Sequence, residues 1–162
     1  MLERPHSIVI NTTPLIAIAV ATGSLDVLQF LYQNVIVPAE VEQEIRAAGS
    51  AAPGVAEFDH SPWLQRLKEP QSITPFLRNS LDIGEAAVIQ AAVMSGVNHV
   101  CIDEKVGRRV ARLNGLTVTG SVGIMVKAKQ LGYALDGEQA IQRLRAHGIW
   151  LGRDVMRLLQ SE

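Results

Sequence analysis

Three times in this chain a short run of apolar, mostly β-branched residues ends on a polar residue and gives way to a helical pattern. No other feature narrows the fold as much. Ser7-Ile8-Val9-Ile10 runs into Asn11, then Thr12-Thr13-Pro14 and an apolar helix ending near Gly23. His99-Val100-Cys101-Ile102 runs into Asp103 and a helix rich in Arg and Val, ending near Asn114-Gly115. Leu116-Thr117-Val118-Thr119 runs into Gly120-Ser121 and a helix ending near Gly132. Continuous apolar strands suit a parallel sheet covered on both faces. Their alternation with helices indicates an α/β fold. Pro14 fits an early helical position, where its missing N–H costs nothing, and the glycine stops fit helix C-caps.

Further elements lie between these units. Residues 26–32 read as a short helix, 35–37 as a strand closed by Pro38, and 41–47 as a helix. Residues 48–62, rich in Ala, Gly, Ser and Pro, read as a loop, and 63–69 fit either a strand or a helix. Residues 83–94 form a helix stopped by Ser95-Gly96, and 138–146 another. Ile149-Trp150-Leu151 reads as a last edge strand before a short terminal helix. Nothing repeats, and residues 1–162 are expected to form one domain. With 162 residues, 48% of them hydrophobic, the chain has the material for one sizeable core.

A net charge of −1 argues against coating nucleic acid by bulk charge but leaves room for a local basic patch. The single cysteine, Cys101, permits no internal disulfide, which fits a reducing, cytoplasmic setting. Arg4 ahead of an apolar run faintly imitates a secretory leader, but residues 11–14 interrupt that run. No stretch has the length of a membrane span.

Strands of a parallel sheet point the same way, and ligands bind at their carboxyl ends. Asn11, Asp103 and Ser121, each just after a strand, should therefore share one rim. Each also suits a helix N-cap. Glu85 opens the very apolar helix 83–94, where a carboxylate favours the helix dipole, and burial of that helix should hold Glu85 near the rim. Glu40 and Glu44 share a helix face; Glu40 and Glu42 read as part of a solvated acidic face. Carboxylates and an amide around one rim make a hard oxygen site suited to Mg²⁺ or Mn²⁺, which acidify water and stabilise charge on a phosphodiester. The histidines, His6, His60, His99 and His147, are scattered and read as structural or solvent-exposed. Cys101 reads as core. Lys105, Arg108, Arg109 and Arg112 follow Asp103, where they could hold the phosphates of an entering strand. Lys127 and Lys129 are weaker candidates of the same kind. The Gly120 turn could cradle a phosphate at a helix N-terminus, but it lacks the P-loop ending and the dinucleotide spacing.

Five segments together resemble the PIN-domain family, and more narrowly a branch related to the toxins of VapBC modules. They are Val9-Ile10-Asn11-Thr12-Thr13-Pro14-Leu15-Ile16; Val37-Pro38 through Val41 to Glu44-Ile45; Leu81 through Gly84-Glu85-Ala86; Ile102-Asp103-Glu104-Lys105 through Gly107-Arg108-Arg109-Val110-Ala111; and Val118 through Ile124, continuing to Lys127-Ala128-Lys129. The resemblance implies a PIN-like three-layer sandwich: a central parallel sheet of four or five strands with helices on both sides. It implies acidic residues that bind Mg²⁺ or Mn²⁺ and cut RNA, with a homodimer and a small antitoxin partner. The family's acidic positions fall on Asn11, Glu44, Glu85 and Asp103, and its Ser/Thr position on Thr119 or Ser121. Two positions depart from the pattern. Asn11 stands for the usual Asp, removing one negative charge, and Glu85 stands for an Asp typical of other branches.

The expected function is a metal-dependent endoribonuclease, the toxin of a toxin–antitoxin pair. Glu44, Glu85 and Asp103 would be its catalytic carboxylates, with Asn11 as a further metal ligand. The first alternative is a catalytically weak or inactive PIN-like module that binds RNA or a protein partner. The second is a small-nucleotide-binding domain using the Gly120 turn.

Overall fold

In the computed structural model, residues 7–161 are described; Arg4 and His6 lie outside them. Five strands form one parallel sheet in the order β3-β2-β1-β4-β5. They are β1 (Ser7–Ile10), β2 (Asn34–Val37), β3 (Gln65–Arg66), β4 (His99–Cys101) and β5 (Thr117–Thr119). In β1, Ile8, Val9 and Ile10 are all fully buried. Successive side chains of a strand point to opposite faces, so both faces of the sheet are covered, as the unbroken apolar runs predict.

Ten helices are described: α1 (Thr12–Thr22), α2 (Asp26–Leu31), α3 (Ala39–Ala47), α4 (Val55–Asp59), α5 (Pro75–Ser80), α6 (Ile83–Ser95), α7 (Lys105–Leu113), α8 (Ser121–Gln130), α9 (Gly137–Ala146) and α10 (Arg153–Gln160). Helix α6 lies against β1 and β4, with α3 and α5 beside it; α1 packs on α8 and on α9, and α10 touches both α8 and α9. The main core gathers the strands with α6, and a second cluster, centred on Met125 and Leu144, ties α1, α8, α9 and α10 together. The fold is α/β, as the sequence predicts.

The strand order fixes where the sheet can open a crevice. From β1 the chain winds outward through β2 and β3, then returns to the other side of β1 for β4 and β5. The order reverses between β1 and β4. In a doubly wound sheet the crevice beyond the carboxyl ends at that reversal is where ligands bind. Asn11 N–H donates to the Cys101 carbonyl and Ile102 N–H to that of Thr119. The ladder thus carries Asn11 and the chain leading to Asp103 up to that crevice.

Three local expectations need correction. The segment 48–62 is not all loop: Val55 and Phe58 are buried on α4. That helix starts at Gly54 in the left-handed region (φ 90°), and its single buried turn is too short to register as a periodic pattern. Helix α5 falls where the sequence pattern marks no element; Thr74 caps it by accepting from Leu77 N–H, with Pro75 in its first turn. The segment 149–151 is not a strand; Ile149 and Leu151 instead line a groove beside α8. The ambiguous stretch 63–69 contributes β3, two residues paired with the end of β2.

Candidate active site

Asn11 occupies the N-cap position of α1 but makes no side-chain capping bond. It is only 4% exposed, and its Oδ1 is buried without a hydrogen-bond partner. An unpaired buried carbonyl costs on the order of 1–3 kcal/mol, so a helix cap does not explain this residue. Opposite it, on the first turn of α6, is Gly84. A Cβ there would lie 2.7 Å from Glu44 Oε2, 3.1 Å from Asn11 Oδ1 and 3.6 Å from Asp82 Oδ1. Oxygens from the starts of α1 and α6 and from α3 thus converge on a spot where only glycine leaves room.

Glu85 sits one residue further into α6 and is 5% exposed. Its carboxyl packs on a second close-approach glycine: a Cβ at Gly107 of α7 would lie 2.9 Å from Ile102 Cγ2 and 3.3 Å from Glu85 Oε2. Burial, together with the charges of Asp82, Glu104 and Glu44 and a side-chain hydrogen bond with Asp82, pushes its pKa up to about 7. Asp82, which sequence reasoning passed over, caps α6 by accepting from Glu85 N–H at 2.9 Å. It therefore fixes the turn that carries Glu85.

Asp103 is held differently. Helix α7 is capped at Glu104, so Asp103 is not the cap of its own helix. Its Oδ1 accepts from the Ser121 backbone N–H at 2.7 Å, and its Oδ2 from Ser121 Oγ at 3.0 Å. This pair of hydrogen bonds to the first turn of α8 ties the β4 end of the rim to the β5 end. A Cβ on Gly120 would meet both Asp103 Oδ1 and an Arg108 nitrogen within 3 Å. Arg108 donates from Nη1 to the Ile102 carbonyl at 2.9 Å, so its guanidinium is folded back against the rim. Thr119 Oγ1 bonds only weakly, to the Gly120 carbonyl at 3.4 Å. With the Ser121 amide already used by Asp103, the Gly120 turn has lost a donor that a phosphate cradle would need, which weakens the nucleotide-binding reading.

The expected residues therefore fall into two sets on one rim. Asn11 and Glu44 come together at Gly84 with Asp82, while the Glu85 carboxyl reaches Gly107 of α7, near enough to Asp82 and Glu44 for their charges to raise its pKa. Asp103, Thr119, Ser121 and Arg108 form the second set. Among the described residues no three His, Cys, Asp or Glu side chains are grouped so as to hold a metal ion. The first set reaches a cation only with the Asn11 amide oxygen counted in. Its donors are nonetheless hard oxygens, one is buried and unpartnered, and a bare glycine keeps the space between them open. That chemistry fits a small divalent cation.

Lys105, Arg109 and Arg112 are exposed on α7, Lys105 in its first turn beside the rim and Arg112 in its last. Lys129 is not available for phosphates: its ammonium donates to the Leu159 and Ser161 carbonyls at the end of α10. Glu40 is not on a solvated face either. It is 9% exposed, and its Oε2 accepts from Gln71 N–H at 2.8 Å while Oε1 is buried and unpartnered. His60 and His147 are exposed, each ring bonded to a helix carbonyl of its own turn, and Cys101 is fully buried, both as expected. No described helix is long and apolar enough to cross a membrane.

A parallel, doubly wound sheet with carboxylates and an amide oxygen at its reversal point defines an α/β protein with an oxygen-rich acidic rim. A family model for a PIN domain matches residues 7–161. The chain belongs to the PIN-domain family, and that membership points to nuclease activity in general, to divalent metal ions and to RNA as the class of ligand. No curated protein matches the chain.

Proposed function

We propose that this PIN domain is a Mg²⁺- or Mn²⁺-dependent endoribonuclease and that it serves as the toxin of a type II toxin–antitoxin pair, in the manner of the VapC toxins. One observation carries the metal site: the buried, unpartnered Asn11 Oδ1 beside Glu44 Oε2 at the space left by Gly84. An oxygen desolvated without a partner is stabilised when a cation supplies one.

Asn11, Glu44 and Glu85 would hold the ion, with Asp103 from the β4 side. When bound, it would neutralise charge developing on the phosphate and acidify water. The chain's own residues do the rest. Ser121 holds Asp103 in one orientation, and Asp82 fixes the turn bearing Glu85. Glu85, whose carboxyl is pushed up to about 7 in the metal-free chain, would be held ionised by the bound cation and so supply one of its oxygens. Lys105, Arg109 and Arg112 would steer the phosphate backbone to the rim. A ribonuclease active in its own host needs restraint, which a small antitoxin would provide; the likeness to VapC toxins also supports a homodimer.

A second reading, a PIN-like module that binds RNA or a protein without cutting, is favoured by two observations: Asn11 carries no charge, and among the described residues no three acidic groups are gathered for a metal. The deciding experiment is cleavage of a mixed pool of structured RNAs by purified protein in Mn²⁺, with a chelator blank and the variants Glu85→Gln and Asp103→Asn. Cleavage lost in the blank and in both variants supports the nuclease. Absence of cleavage by folded protein whose melting temperature Mn²⁺ raises overturns it in favour of the binding module.

A further inference from the structure

Trp150 is 75% exposed, the largest exposure among the big apolar side chains of the described residues. It stands in the segment between α9 and α10, and its neighbours Ile149 and Leu151 are both half-buried in the wall of a groove of about 870 Å³. The polar end of that groove is Asp103, Arg108, Thr119 and Ser121, which is half of the catalytic rim. The segment thus turns two apolar side chains inward and presents the indole to solvent.

The ring is not loose. The Arg145 guanidinium of α9 lies 5.9 Å from its centroid, and the same guanidinium reaches Met156 Sδ of α10 at 2.9 Å. A cation held over an aromatic face is favourable, and here it leaves the rest of the indole surface uncovered. The segment is basic in sequence, with four arginines against one aspartate over residues 143–157 in a chain of net charge −1. Of these, Arg145 stands at the ring and Arg143 turns away toward Gly23, while Lys127 joins Arg108 in the groove wall. Among the described residues none of these cations is in an ion pair.

An exposed indole backed by the Arg145 guanidinium, beside a groove wall that carries Lys127 and Arg108, suits an unpaired nucleobase and its phosphates: the base stacks, and the cations offset the backbone charge. The geometry points to Trp150 and Arg145 as a base-stacking platform that anchors a single-stranded stretch of RNA on the outer wall of the groove leading to the rim. This inference rests on the nuclease reading and deepens it, since it names the side chains that would hold an unpaired stretch. A protein surface seated on the same face would need no unpaired cation at the ring; Arg145 at the indole and Lys127 in the groove wall favour RNA.

The test uses the full chain in a chelator, so that nothing is cut, with a synthetic single-stranded RNA 12-mer and the duplex of the same sequence. The single strand should quench Trp150 fluorescence, identified by its absence in Trp150→Phe, and the duplex should not. Trp150→Ala should weaken single-strand binding about 5- to 100-fold; Trp150→Phe, which keeps a ring, should retain part of it. In Mn²⁺ cleavage assays the loss in Trp150→Ala should fall on KM and not on kcat. Unchanged KM in Trp150→Ala with cleavage intact overturns the platform and leaves the nuclease standing. Neither RNA binding nor cleavage overturns both. Equal quenching by duplex, or an indole signal that follows protein concentration without RNA, overturns the platform in favour of backbone binding or of a protein interface.

Discussion

Replacing Glu85 by Gln removes a rim carboxyl whose ionisation the fold opposes. Its carboxyl is pushed from 4.5 to about 7 by burial first and then by Asp82, Glu104 and Glu44. A carboxyl with a raised folded pKa binds its proton more tightly in the native than in the unfolded chain. Its contribution is fully present below the unfolded value and is lost as pH rises through the folded one. Metal-free protein should therefore lose stability from this group between about pH 4.5 and pH 7 and change little above. At about 1.4 kcal/mol per pKa unit, the separation sets a ceiling of about 3 kcal/mol. Water entering past the exposed Asp82 and Glu44 screens part of it, leaving about 1–2 kcal/mol. The assay is urea unfolding of wild type and Glu85→Gln at about pH 5 and pH 8, on either side of most of that titration, in chelator and in saturating Mn²⁺. In chelator the variant should gain on the wild type by that amount as the pH is raised. In Mn²⁺ at the higher pH the wild type should recover and the variant should not. A constant gap between the two proteins across pH would refute the burial argument, and equal Mn²⁺ stabilisation of both would refute the role of Glu85 in holding the ion.

Gly84→Ala places a methyl group 2.7 Å from Glu44 Oε2. Because Glu44 is exposed and can swing away, thermal stability should change by less than about 1 kcal/mol, while the Mn²⁺-induced rise in melting temperature should vanish. Asn11→Asp adds a buried carboxylate beside Glu44. It should destabilise metal-free protein by about 1–3 kcal/mol, a deficit that Mn²⁺ closes, and raise the cleavage rate; calorimetry in chelator and in metal checks the first two. Asp103→Ala strips Ser121 of both its acceptor oxygens and should cost about 2–3 kcal/mol, or roughly 5–10 °C in melting temperature. Asp103→Asn keeps an acceptor for the Ser121 amide and should cost about 1 kcal/mol, so it is the cleaner control for cleavage.

The burial of strands β1, β2 and β4, and the order in which polar residues follow strands, were legible because both are local. A run such as Ser7-Ile8-Val9-Ile10 can be buried on both faces only inside a sheet, and parallel strands deliver the residues after them to one edge. Asn11, Asp103 and Ser121 could thus be named from the sequence, as could Glu85 from the apolarity of α6. The partnerships among them were not legible, because they join elements far apart in the chain. Asp103 looks like a cap for the helix that follows it, yet it serves the helix that begins at Ser121. Glu40 looks like a surface acid, yet it binds the backbone of Gln71. Gly84 and Gly107 look like ordinary helical residues, and only the close approach of Glu44 to the first and of Ile102 and Glu85 to the second gives them a reason. Period and propensity decide which face of an element is buried; which element then covers that face, and so which oxygen is left unpaired at Asn11, is decided by packing.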